Sequence, residues 1–341
     1  MNKSMLGIID ATTHNDAMQE LTWKRSIAAV PFGGRYRLID FVLSNMVNSE
    51  IQSVAIFPRY QYRSLMDHLG SGKQWDLDRK RDGLFFFPSA DGDVDGNTGS
   101  FQHFKENQDF FLRSNQKYVV IANSFTVSNM NYKLMLERHL NNRCDITHVL
   151  HGEDSMDIYI LEKDLLVELF TNYERTGYRS IMDVVEDVNS GYKVCNYEFT
   201  SYAAVINSVE SYYKHSLELL NPTIWQQVFK KNHPIFTKVK DEPPTSYSKD
   251  AYVKNCMIAN GAIIEGHVEN SVIFRGVKIG KGTVIKNSIV MQKGIIGMNC
   301  VLDSVVLDKD VRVEDGTILT GKSSSPYLVR KGTVQGALMN S

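Results

Sequence analysis

Residues 271–307 read SVIFRGVKIGKGTVIKNSIVMQKGIIGMNCVLDSVVL, and their spacing decides the fold of the C-terminal third of the chain. Three tetrads recur, Ser271-Val-Ile-Phe274, Ser288-Ile-Val-Met291 and Ser304-Val-Val-Leu307, with starts 17 and 16 residues apart (288 − 271, then 304 − 288). Ile279, Ile296 and Val313 recur at steps of 17. Within a coil the step is six, from Ile279 to Ile285 to Met291 and from Val313 to Leu319. Six residues a side and about three sides per coil is the arithmetic of a hexapeptide left-handed parallel β-helix. A single coil cannot bury its apolar face alone, so coils must stack. We read this solenoid over 253–341, C-terminal tail included, behind a polar linker, 238–252, that carries Pro243-Pro244.

Upstream, residues 1–237 have a different texture. Apolar runs at 5–9, 54–57, 118–122 and 157–161 read as buried strands. Between them, 38–49, 132–140, 165–173 and 209–220 place apolar residues at helical spacing. Alternating strands and helices predict an α/β, Rossmann-like domain with a mainly parallel sheet.

The chain's 341 residues suit two domains. Its 38 Lys+Arg against 39 Asp+Glu leave a net charge of −1, which argues against a nucleic-acid or anionic-membrane partner. No apolar run reaches the roughly 18 residues of a membrane span, and the N-terminal run turns polar too soon for a signal segment. Cys144, Cys195, Cys256 and Cys300 are far apart, so reduced thiols in a cytoplasmic protein are expected rather than a disulfide framework or zinc site.

Two motifs carry chemistry: Ala29-Val-Pro-Phe-Gly-Gly-Arg-Tyr-Arg-Leu-Ile-Asp-Phe-Val-Leu-Ser-Asn45 and Gly70-Ser-Gly-Lys-Gln-Trp-Asp-Leu-Asp78. Both resemble the ADP-glucose pyrophosphorylase (glucose-1-phosphate adenylyltransferase) family, and the likeness extends through the solenoid. The resemblance implies a nucleotidyltransferase domain of GT-A-like architecture that joins ATP and glucose 1-phosphate with magnesium. Such a transfer needs positioning and neutralisation of phosphate charge.

The positions that would supply this are changed. The family's A-G-G-x-G-x-R-L loop, which cradles the triphosphate, falls on Ala11-Thr-Thr-His-Asn-Asp-Ala-Met18: no glycine remains and the arginine position is Ala17. The lysine of A-K-P-A-V-P falls on Ile27, and the aspartate of G-D-H-I-Y-K-M-D-Y falls on Phe125. The aspartate of Y-W-E-D-V-G-T falls on Val205. Magnesium needs oxygen ligands, which neither Phe nor Val supplies. The nucleotide motif G-T-A-D-A corresponds poorly to Gly99-Ser-Phe-Gln-His103, and the sugar-phosphate segment bearing E-K-P is missing between His139 and the strand at 157–161. The pattern is similar to the short, Bacillus-type form of the family's catalytically degenerate partner.

Other candidates are weaker. Asp91-Gly-Asp-Val-Asp-Gly96 matches half a calcium loop, but Gln102 stands where Glu is required, so a solvated turn is expected. His14 with Asp10 and Asp16 reads as loop capping. Phe85-Phe-Phe87 reads as a strand, and His267 carries no acyltransferase signature. Lys24, Arg25, Arg35 and Arg37 form the candidate anion or effector site, open to a sugar phosphate or nucleotide. Three functions follow from the resemblance. One is a non-catalytic regulatory subunit that assembles with the catalytic pyrophosphorylase, as a mixed tetramer, and enhances ADP-glucose synthesis without binding its own magnesium. The others are an independently active adenylyltransferase and a ligand-sensing module.

Overall fold

The computed structural model describes residues 4–13, 15–59, 61–89 and 98–336. A seven-stranded sheet runs in the order Val194–Glu198, Ile146–His151, Asp154–Glu162, Tyr118–Asn123, Met5–Ala11, Ser53–Pro58, Gly83–Phe86. Only Asp154–Glu162 is antiparallel to its two neighbours, so the sheet is mainly parallel. Successive residues of each central strand enter opposite cores: Ile9, Val54 and Ile56 one, Ile8, Ala55 and Phe57 the other. Burial on both faces explains why these strands read as continuous apolar runs. Phe85, Phe86 and Phe87 are half-buried on the sheet's edge, where Phe87 stacks on Phe57 with centroids 5.2 Å apart.

The helix Leu38–Asn48 is buried along most of its length, and Asp40 accepts a hydrogen bond from the Arg37 amide at its first turn (3.0 Å). Before it, Gly33 and Gly34 at φ 56° and 78° turn the strand Pro31–Phe32 back onto Tyr36–Arg37.

Three parallel sheets form the sides of the solenoid, with six, five and five strands. Leu302, Val305 and Ile285 point inside, stacked with Ile264, Ile279 and Ile296. Ser246–Tyr247, within the segment read as a linker, already pairs with Ile263–Ile264. The ladder corrects one reading: Ile289 pairs with both Val272 and Val306, so both steps between these tetrads are 17 and the third tetrad is Val305–Asp308. Asp308 therefore occupies the coil position of Phe274 and Met291. Coil corners approach closely; a Cβ on Gly280 would lie 2.6 Å from the Gly297 carbonyl oxygen.

The third sheet packs on the α/β domain. Phe274, Met291 and Val306 share one core with Phe32, Phe41 and Tyr212, so the two domains meet through a dry apolar seam. Each such buried side chain contributes roughly 1.5–3 kcal/mol. Where the seam reaches Asp308, Arg25 meets it from the α/β domain through one nitrogen, 2.9 Å from each carboxylate oxygen. Both are buried, at 4% and 2% exposure.

The expectation of four reduced cysteines is overturned: Cys144 and Cys195 form a disulfide, while Cys256 and Cys300 are free. Cys144 precedes the strand Ile146–His151, whose parallel neighbour Val194–Glu198 contains Cys195. Strand pairing thus joins residues that a separation of 51 hides in the sequence. Among the described residues, no helix is long and apolar enough to cross a membrane.

Candidate functional site

The loop after the central strand Met5–Ala11 is held by side chains rather than shaped to hold a ligand. Asp10, 1% exposed, accepts hydrogen bonds from the Thr12 amide and hydroxyl (2.8 and 2.6 Å) and from the Gly99 amide (2.6 Å). Its oxygens brace two loops. Asn15 accepts from the Ala17 amide, leaving Asp16 and Ala17 exposed on a short helical turn. His14 and the calcium-like run 91–96 lie outside the described residues.

Phe125 and Val205 are brought together, but as packing. The strand Thr126–Ser128 pairs with Ala203–Val205, and the Ile206 amide donates to the Phe125 carbonyl at 3.1 Å. Phe125, Val205 and Ile27 belong to one apolar cluster. The residues at these positions do not fit magnesium: the side chains of Ile27, Phe125 and Val205 carry no oxygen for a hard cation to coordinate. The nearby charge is mixed: Arg25 and Arg59 line the adjoining cleft, and the Asp157 carboxylate lies close to Asp10. Asp157 is held at φ 50°, and burial, with the Asp10 and Glu186 carboxylates, raises its pKa above the ordinary range. The missing sugar-phosphate segment is a tight turn: His151 pairs with Asp154, leaving Gly152-Glu153 as the whole connection. A cleft of about 240 Å³ lies beside Ile27, between the loop after the first strand and Arg59, and the buried hydroxyls of Thr13 and Ser26, which line it, have no hydrogen-bond partners.

The four candidate anion-binding cations do not form one site. Arg25 is committed to Asp308. Lys24 is exposed and borders a small cleft of about 210 Å³ with Glu20, Arg330 and Lys331. Arg35 and Arg37 instead line a cleft of about 460 Å³ between the domains. There they are joined by Lys238 and Lys240 from the connecting segment and by Arg275, Lys293 and Lys309 from the solenoid. These seven cations face three acids, Asp67, Glu242 and Asp310.

Burial and, after it, crowding of like charge lower the pKa values of four of the cleft's cations. Burial, with Arg25 and Arg275 nearby, pulls Arg37 down to about 10 although Asp40 opposes it. Burial and the cations Arg37, Arg25 and Lys331 bring Lys309 down to about 8. Arg275 and Lys240 are lowered in the same direction. Each of these four cations is held against burial and against its neighbours' charge, and an anion placed among them would offset both. Arg37 is fixed in place by donating to the Ser64 carbonyl and hydroxyl, at 2.6 and 3.0 Å. At the floor, His68 lies 2.6 Å from Asp40, with its imidazole pKa lowered by burial.

Sequence reasoning missed the five cations outside the Gly-Gly turn. One signal was available: Arg275, Gln292 and Lys309 lie 17 residues apart (292 − 275, 309 − 292), so a single solenoid column carries them. Lys238 and Lys240 had none, because only docking of the two domains brings the connecting segment to the cleft.

Comparison with known proteins agrees with this architecture. The nucleotidyl transferase family matches residues 17–159, and the GlmU-like C-terminal hexapeptide family matches 243–324. The chain is 58% identical over its full length to the glycogen biosynthesis protein GlgD of Geobacillus stearothermophilus. It is 53% identical to the protein of that name from Bacillus subtilis (strain 168), covering all of this chain and 99% of that one. A glucose-1-phosphate adenylyltransferase of Bacillus mycoides (strain KBAB4) is 29% identical over 89% of this chain and 91% of its own length. Identity is therefore high with the first group along the whole chain and much lower with the adenylyltransferase. The chain belongs to the family of the glycogen biosynthesis protein GlgD.

Proposed function

We propose that this chain serves glycogen biosynthesis in the cytoplasm as a non-catalytic subunit. It assembles with a catalytic glucose-1-phosphate adenylyltransferase, raises its output of ADP-glucose, and binds a phosphorylated ligand in the interdomain cleft. One contrast carries the reading. The seat for magnesium and phosphate is packed with Ile27, Phe125 and Val205, while seven cations are gathered where the domains meet. Selection for turnover would keep the first, whereas selection for binding and coupling keeps the second. Coupling requires that the subunit bind the active and inactive states of its partner with different affinity. The magnesium of the reaction then resides in the partner.

The test is turnover by the isolated chain. With ATP, glucose 1-phosphate and magnesium, the expected rate is indistinguishable from the no-protein control. Magnesium-dependent synthesis of ADP-glucose that survives purification from any homologue would favour an independent enzyme.

A further inference from the structure

One side of the solenoid is covered by the α/β domain, but another is open along its length. This open side is the sheet of Tyr252–Lys254, His267–Glu269, Val284–Lys286, Val301–Asp303 and Ile318–Thr320. Its strands pair in register, so each residue stacks on its counterpart about 4.8 Å away in the next coil. The middle residues Val268, Ile285, Leu302 and Leu319 point inward, which leaves two outward columns. The first runs Tyr252, His267, Val284, Val301, Ile318 and is apolar apart from the imidazole, which packs on the Tyr252 ring with centroids 4.4 Å apart. Tyr252, Val301 and Ile318 are 49%, 40% and 63% exposed. Single exposed apolar residues are ordinary, whereas a continuous column of them marks a contact surface. The second column alternates in sign over four coils: Lys254, Glu269, Lys286, Asp303. Glu269 lies 3.4 Å from Lys254 and 3.8 Å from Lys286, which holds these three charges in line.

We propose that this face joins two copies of the chain, with their solenoids antiparallel. The alternation of charge selects that occupant. A two-fold axis along the strands, set between the second and third coils, turns each column onto itself in the other copy. Lys254 then meets Asp303 and Glu269 meets Lys286, so all four facing pairs carry opposite signs. The same operation lays Tyr252 over Val301 and His267 over Val284, which buries the apolar column beside the charged one. Moving the axis by half a coil would put Glu269 on Asp303 and Lys286 on itself. Running the solenoids parallel would lay the charged column on the apolar one. The ladder therefore specifies one register and opposes its neighbours. The six-stranded side has no such property: in its column through Ile263 the charged members are Lys278 and Arg312, both cations. The pairing leaves the interdomain cleft untouched and needs no catalytic partner.

The experiment is sedimentation of the full-length chain and of two charge reversals, Lys286→Glu and Glu269→Lys. The wild type should dimerise reversibly. Each variant alone should dimerise at least about tenfold more weakly, because two like-charge pairs then meet at the centre of the interface. An equimolar mixture of the two variants should regain the wild-type affinity within about threefold, since every facing position in the mixed pair again carries opposite signs. That rescue also shows both variants to be folded. A wild type that stays monomeric at its highest soluble concentration overturns the proposal. Variants that dimerise as the wild type does, or a mixture no tighter than its components, overturn it as well. If Val301→Asp leaves a dimer intact but releases a catalytic adenylyltransferase, the face belongs to that subunit and the proposal fails.

Discussion

Removing the Asp308 carboxylate should expose how much of the domain seam depends on one ion pair. Asp308 stands in a column whose earlier members are Phe274 and Met291, so an apolar residue is what its position calls for. It is tolerated because Arg25 reaches it with two contacts of 2.9 Å and both are almost fully buried. At a charge separation of about 4 Å and an effective dielectric of about 20, their attraction is about 4 kcal/mol. Asp308→Ala leaves the guanidinium buried without its partner, and about 3–5 kcal/mol of stability should be lost. Replacing the pair together, Arg25→Met with Asp308→Met, extends the apolar column and removes both desolvation costs. That double variant should match the wild type or exceed it by about 1–4 kcal/mol. Urea unfolding followed by tryptophan fluorescence and by circular dichroism checks both, with coincident transitions as the condition for quoting a single free energy. A single variant within about 1 kcal/mol of the wild type would refute the reasoning. So would a double variant as weak as the single.

Lys309 gives the cleft a pH signature. Its proton is held less tightly folded, at about 8, than unfolded at 10.5. The cost of burying that charge, beside Arg37, Arg25 and Lys331, is therefore fully present below pH 8, and stability rises as pH climbs from about 8 towards 10.5. Sulfate, whose charge is constant over this range, should bind more weakly at pH 9 than at pH 7, and Lys309→Met should flatten that dependence in calorimetry. Thiol labelling of the protein prepared without reductant should find two of four cysteines reactive after unfolding, and Cys195→Ser should cost about 2–4 kcal/mol; four reactive thiols would contradict the pairing. Gly280→Ala should weaken the solenoid by about 1–3 kcal/mol, because its Cβ meets backbone 2.6 Å away that cannot yield like a side chain. Phe125→Asp should yield no turnover and a less stable protein, since it places a carboxylate in the apolar cluster with Ile27 and Val205.

Much of the fold was legible because its signals are local. Continuous apolar runs in the buried strands, the step of six along a coil and the alternation of strand with helix are all set by neighbouring residues. The solenoid phase slipped by one at Ser304, where a serine followed by three apolar residues mimics the earlier tetrads. The true register places Asp308 at an apolar position, and its justification is Arg25, 283 residues away. The disulfide was hidden for a similar reason: sheet order, not spacing, sets Cys195 beside Cys144. At the site, the absence of the family's charged side chains could be read residue by residue, because Ala17, Ile27, Phe125 and Val205 lack those atoms wherever they stand. The retained charge could be read only in part. Arg35 and Arg37 were recognised, whereas Arg25 was taken for a ligand-binding cation and proves to be neutralised by the solenoid.

The central claim is that this chain acts through a catalytic partner rather than through its own pocket. The most direct measurement is the rate of ADP-glucose synthesis by a glucose-1-phosphate adenylyltransferase from the same organism, alone and after co-expression and co-purification with this chain. The account predicts a stable complex and a higher rate per catalytic subunit in the mixture. Failure to copurify, together with an unchanged rate at saturating amounts of this chain, would contradict it.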